Sequence, residues 1–128
     1  MKNFRLTKRK ALEITAELWQ WMVENPGNLK YQWPGWEKYG EMYGACACCE
    51  YARRHSHGPI KDNCVPCPLY GKWSKEEHSI CDDGPYADWE RSKSSKARTK
   101  HALAIVELCK TELEGMPKRK SLLTKSPR

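Results

Sequence analysis

Cys46-Ala47-Cys48-Cys49, fourteen further residues, Cys64-Val65-Pro66-Cys67, thirteen more and then Cys81 form the stretch that decides the architecture. Cys46 and Cys49 make one C-x2-C pair, and Cys64 and Cys67 make a second. Each such turn brings two sulfurs within chelating distance of one ion and leaves backbone N–H groups to bond the thiolates. The fourteen-residue gap falls just under the usual zinc-ribbon spacing. Cys49, Cys64 and Cys67 head the predicted ligand set, followed by Cys46 and then Cys81. Cys81 is an alternative to Cys46 or Cys49. His78 and Cys81 repeat the x2 spacing, so Cys64, Cys67, His78 and Cys81 form another set, of three sulfurs and one nitrogen. Cys48 is spare if the two C-x2-C pairs bind. The expected cofactor is one structural Zn2+, with iron as the alternative for the same sulfurs. Buried cysteines that bind nothing are the competing explanation, and paired x2 spacing argues against it. Cys109 falls on an apolar helix face and reads as a core thiol.

The metal matters because the apolar supply is thin. The 128 residues include six Trp and six Tyr but one Phe, so the core must use large rings with polar edges. A structural zinc contributes on the order of 10–16 kcal/mol in short peptides, which rivals the stability of a whole domain. The basic start of the chain is followed by a segment holding Glu13 and Glu17, which is unlike a secretory signal. The seven cysteines therefore read as thiols of a reducing, cytoplasmic setting. No apolar run is long enough to span a membrane, and no small-molecule substrate is indicated.

Outward from the cysteines, residues 7–24 read as a helix. Glu13, Glu17, Gln20 and Glu24 make one polar stripe, and Leu12, Ile14, Leu18, Trp19, Trp21, Met22 and Val23 fill most of the remainder. Asn25-Pro26-Gly27 stops it. Residues 28–45 read as an aromatic loop, its rings predicted to pack over the first helix rather than to stack on bases. The centre, 46–81, is predicted to hold short strands and knuckle turns with little regular structure. Gly84-Pro85 opens a helix from which Tyr86 and Trp89 face inward. A second long helix covers 95–114, with Ala102, Ile105, Val106, Cys109 and Leu113 on its apolar face, ended by Gly115 and Pro117. The expected fold is thus mainly α: two long helices flanking an irregular zinc-knuckle centre with at most short strands. It is a single domain over 1–117, with a basic, disordered tail over 118–128.

The formal charge of +7 is segregated. Residues 1–10, 91–100 and 116–128 each carry five basic residues and no acidic one. The rest of the chain is acidic. Basic tails that keep the chain soluble explain this as well as a polyanion footprint does. The footprint would use Lys8, Arg9, Lys10, Lys93, Lys96, Arg98 and Lys100.

Several clusters together carry a resemblance. They are Leu18-Trp19-Gln20-Trp21, Glu24-Asn25-Pro26-Gly27, Trp33-Pro34-Gly35-Trp36, Cys46-x2-Cys49-Glu50-Tyr51-Ala52, Cys64-x2-Cys67-Pro68, Cys81, and Gly84-Pro85-Tyr86 with Trp89. Over roughly residues 12–108 the chain resembles small cysteine-rich proteins encoded by tailed bacteriophages and prophages. The resemblance implies a phage setting, host-cell cytoplasm and a zinc-ribbon-like centre, but no activity. Cys48 stands where that pattern leads one to expect another residue.

Catalytic signatures are missing. There is no H-E-x-x-H, no Walker loop and no H-x-E paired with P-C-x-x-C. A metal-dependent nuclease would have to gather His55, His57, Asp82 and Asp83. His55 and His57 read better as loop residues, and the two aspartates as helix caps. The expected function is therefore binding: a zinc-held accessory protein whose partner is nucleic acid or a host or phage protein. A small hydrolase and an assembly factor are the alternatives.

Overall fold

The computed structural model describes residues 5–55, 66–75 and 79–116, apart from the side chain of Asp82. The fold is mainly α, and no strand occurs among the described residues. Cys64, His57, His78 and the 118–128 tail lie outside them.

Helix α1 spans Lys8–Glu24. Thr7 caps it, its hydroxyl accepting the Lys10 N–H at 3.0 Å. Ala11, Leu12, Ile14, Leu18, Trp19 and Met22 are buried, and the exposed positions Glu17, Gln20 and Glu24 lie along one stripe. Asn25 closes the helix by donating its side-chain amide to Trp21 O at 2.9 Å. The last helix, α5, spans Ser95–Glu114. Ser94 caps it through Ala97 N–H at 3.1 Å. Ala102, Ile105, Val106 and Cys109 are buried on its inner face, and Leu113 packs at the edge of the core.

The two helices pack antiparallel. At one end Thr99 Oγ1 donates to Val23 O at 3.4 Å, and Arg98 Nη2 donates to Asn28 O at 3.1 Å. Further along, Val106 and Lys110 share a shallow groove with Ala16, Glu17 and Trp21. Helix α4, Pro85–Arg91, leans on this pair through aromatic edges. The Trp19 ring meets Trp89 at 5.0 Å and Tyr86 at 5.9 Å, both nearly perpendicular. Gly84 is required where α4 begins, because a Cβ there would overlap the Trp73 carbonyl.

The aromatic segment 28–45 packs over α1, and it contains a short helix, α2 (Trp36–Tyr39). Trp33, Trp36 and Tyr39 are buried. Trp36 donates its indole N–H to Lys30 O at 3.0 Å, and the Tyr39 hydroxyl bonds both Glu17 oxygens at 3.0 and 3.1 Å. Tyr31 and Tyr43 stay exposed, at 70% and 54%.

Among the described residues, the centre differs from the sequence expectation at its first segment. Ala47–His55 is a nine-residue helix, α3, where knuckle turns and strands are expected. Its charges explain it. Glu50 sits in the first turn and Arg53, Arg54 and His55 in the last, as the helix dipole favours. Glu50 accepts from Arg53 at 2.6 Å and from Arg54 at 2.9 Å, while Ala47, Cys48 and Ala52 form the buried side.

Candidate metal centre

Three chain segments meet at the cysteines. The first is the turn Tyr43–Ala45 and the start of α3. Gly44 has φ of 66° and Ala45 has φ of 49°, so two successive residues are left-handed just before Cys46. That conformation is costly for alanine, by about 1–2 kcal/mol, and must be held from outside. Two groups hold it. Lys30 Nζ donates to Gly44 O at 2.9 Å, and the Tyr43 N–H donates to Glu50 Oε1 at 3.0 Å. Cys46 is thereby set beside Cys48 and Cys49 on the first turn of α3.

The second segment carries Cys67 and the third carries Cys81. Ser79, 1% exposed, ties them together. Its hydroxyl oxygen accepts the Trp73 and Ser74 N–H groups, both at 3.1 Å, and its carbonyl accepts the Gly71 N–H at 2.7 Å. Cys81 opens the short turn Cys81–Asp83, which Asp83 fixes by accepting the Ile80 N–H at 2.8 Å.

Cys46, Cys48, Cys49, Cys67 and Cys81 all line one largely apolar cavity of about 190 Å³, with Thr15, Trp19, Lys30 and Tyr86 among its other walls. None of these cysteines is in a disulfide. Cys48, spare in the sequence reading, lies in the same wall, with its Sγ 3.3 Å from Thr15 Oγ1. Cys109 is fully buried in the core, where burial pushes its thiol up. Cys64 lies outside the described residues. Among those described, no three Cys, His, Asp or Glu side chains close to metal-holding positions.

The thiols polarise one another. Cys46 is held well below the usual thiol range by hydrogen bonds from Cys48 and Cys49 and by the charge on Lys30. Cys67 is lowered by Cys48 and by the backbone N–H groups of Leu69 and Tyr70, against burial. Cys48 is raised as the donor to Cys46 and Cys67, and Cys49 as the donor to Cys46. Burial opposes the charge on Lys30, but Cys46, Tyr86 and Cys49 outweigh it and keep the ammonium favoured. Soft sulfur donors suit a thiophilic ion such as zinc; Cys46 and Cys67 are the two whose thiolate is favoured here, while Cys48 and Cys49 hold their protons. The donor elements therefore suit the expected cofactor.

Other predicted site residues are dispersed. Lys8, Arg9 and Lys10 begin α1, while Lys93, Lys96, Arg98 and Lys100 surround the start of α5. In an antiparallel pair these are opposite ends, about 25 Å apart over a seventeen-residue helix. Lys8, Lys93, Lys96 and Lys100 are exposed. Lys10 Nζ lies 5.5 Å from the Tyr39 ring centre. Arg98 turns inward, to Asn28 O and over the Trp89 ring at 4.5 Å. His55 stacks on Tyr51, and its Nδ1 is 2.9 Å from Tyr51 O.

Sequence reasoning missed Lys30, Thr15, Ser79 and Glu50. Glu50 was recoverable from its i+3 and i+4 arginines. Lys30, Thr15 and Ser79 act only across long sequence separations and leave no local signal.

No family model, curated protein or solved structure matches this chain. No described helix is long and apolar enough to cross a membrane.

Proposed function

We propose that this chain is a zinc-stabilised accessory protein that acts by binding a partner. One Zn2+ is held by thiolates drawn from Cys46, Cys49, Cys64, Cys67 and Cys81, and its role is to lock a knuckle-like centre between the two long helices. The observation that carries this reading is the convergence of Cys46, Cys49, Cys67 and Cys81, from three chain segments, on one apolar cavity. The backbone N–H groups of Leu69 and Tyr70 favour the Cys67 thiolate, as amides do around a metal-bound sulfur.

The test is metal content after purification under reducing conditions. One zinc per chain is expected, together with loss of helical circular dichroism and a lower melting temperature on chelation. Metal-free protein with freely titratable thiols and an unchanged melt overturns the reading.

The acting surface lies outside the metal centre. Both long helices begin with cations, where the helix dipole disfavours them, and neither has an acidic residue in its first turn. A bound phosphate offsets that cost at either end, which favours nucleic acid over a host or phage protein as the partner. Binding to single- and double-stranded probes at 50 and 200 mM salt decides between them. A steep fall with salt, reduced in K96E and K100E variants, supports nucleic acid. A salt-insensitive partner supports a protein. A hydrolase built from His55, His57, Asp82 and Asp83 draws no support from His55, stacked on Tyr51, or from Asp83, which caps its own turn.

A further inference from the structure

We propose that Lys30 is the outer-sphere counter-ion of the metal centre, a positioning residue whose ammonium group sets the affinity of the thiolate site. The inference rests on the zinc reading above and deepens it. Lys30 precedes the cysteines by sixteen residues or more and belongs to the aromatic segment, yet its side chain reaches the cavity wall. Among the described residues that line the cavity it is the only cation. Arg53 and Arg54 of α3 are paired with Glu50, and Arg98 is held by Trp89 and Asn28.

Two contacts fix the ammonium in place. It donates to Gly44 O at 2.9 Å and lies 4.5 Å from the centre of the Tyr86 ring. Tyr86 is itself part of the cavity wall. One group thus fastens the left-handed turn that delivers Cys46 and places a positive charge in the wall of the cavity that Cys46 lines.

The charge has a direction of effect. Four thiolates around one divalent ion make a centre of net charge −2. In an apolar cavity that negative charge is unfavourable unless a cation lies close. Outer-sphere groups of this kind typically change metal affinity by about 10–100-fold.

Four proteins test this: wild type, K30R, K30Q and K30M. Glutamine keeps an N–H donor for Gly44 O without the charge, arginine keeps the charge, and methionine keeps neither. Zinc affinity is read by competition with a chromophoric chelator at neutral pH, and tetrahedral thiolate ligation by the cobalt(II) spectrum. K30Q and K30M are expected to bind about 10–100-fold more weakly, and K30R to bind within a few-fold of wild type. All should keep the tetrahedral cobalt spectrum. Wild-type affinity in K30Q, or an equal loss in K30Q and K30R, overturns the proposal, because the charge would then not be the operative property. Should K30M fail to fold, the K30Q and K30R pair still decides. A wild-type protein that takes up no zinc refutes the metal reading itself.

Discussion

Replacing Glu50 by glutamine should destabilise the protein by about 2–3 kcal/mol at pH 7, although the residue is not itself a predicted ligand. Glu50 is 2% exposed and uses both carboxylate oxygens. Oε1 accepts the Tyr43 N–H, and Oε2 accepts from Arg53 and Arg54. Burial alone would raise its pKa; these donors outweigh burial and lower it from 4.5 to about 2. A fall of that size corresponds to about 3 kcal/mol. Half of the Arg53 side chain is exposed, so screening reduces the figure toward about 2 kcal/mol. The folded-state value lies below the unfolded one. The contribution is therefore full above about pH 4.5 and is lost as pH falls toward about 2. Urea unfolding of wild type and E50Q, followed by tryptophan fluorescence across that range, measures it. A difference under about 0.5 kcal/mol at pH 7, against the expected 2–3, refutes the reasoning. So does one that persists undiminished at pH 2.5.

Further outcomes follow from the same contacts. Ser79→Ala removes the acceptor of the buried Trp73 N–H and of the part-buried Ser74 N–H, and should cost about 1–3 kcal/mol and weaken zinc binding by loosening Cys67 from Cys81; denaturant titration and chelator competition read both. Gly44→Ala imposes a Cβ at φ of 66° and should cost about 1 kcal/mol, whereas Ala45→Gly relieves its neighbour and should raise or preserve the melting temperature. Leu18→Ala removes a fully buried side chain from the helix pair and should cost about 2–5 kcal/mol in urea unfolding, with metal stoichiometry unchanged.

Much of the helical frame was legible in order along the chain. The 3.6-residue stripe of Glu13, Glu17, Gln20 and Glu24, the stop at Asn25-Pro26-Gly27 and the apolar run Ala102, Ile105, Val106 and Cys109 are local signals. Local dihedral and periodicity rules fix such elements before any tertiary contact forms. The same local logic applies to α3, where Glu50 precedes Arg53 and Arg54, although C-x2-C spacing by itself predicts turns there.

What tertiary structure alone decided is who meets whom. The gathering of Cys46, Cys48, Cys49, Cys67 and Cys81 at one cavity depends on Ser79 stitching two loops together. It depends equally on Lys30 holding a left-handed turn fourteen residues away from itself in sequence. Periodicity carries no information about such contacts, because their energy comes from pairing polar groups that burial has separated from water. The antiparallel packing likewise sent two basic clusters to opposite ends of one helix pair, a separation that their equal charge in sequence cannot express.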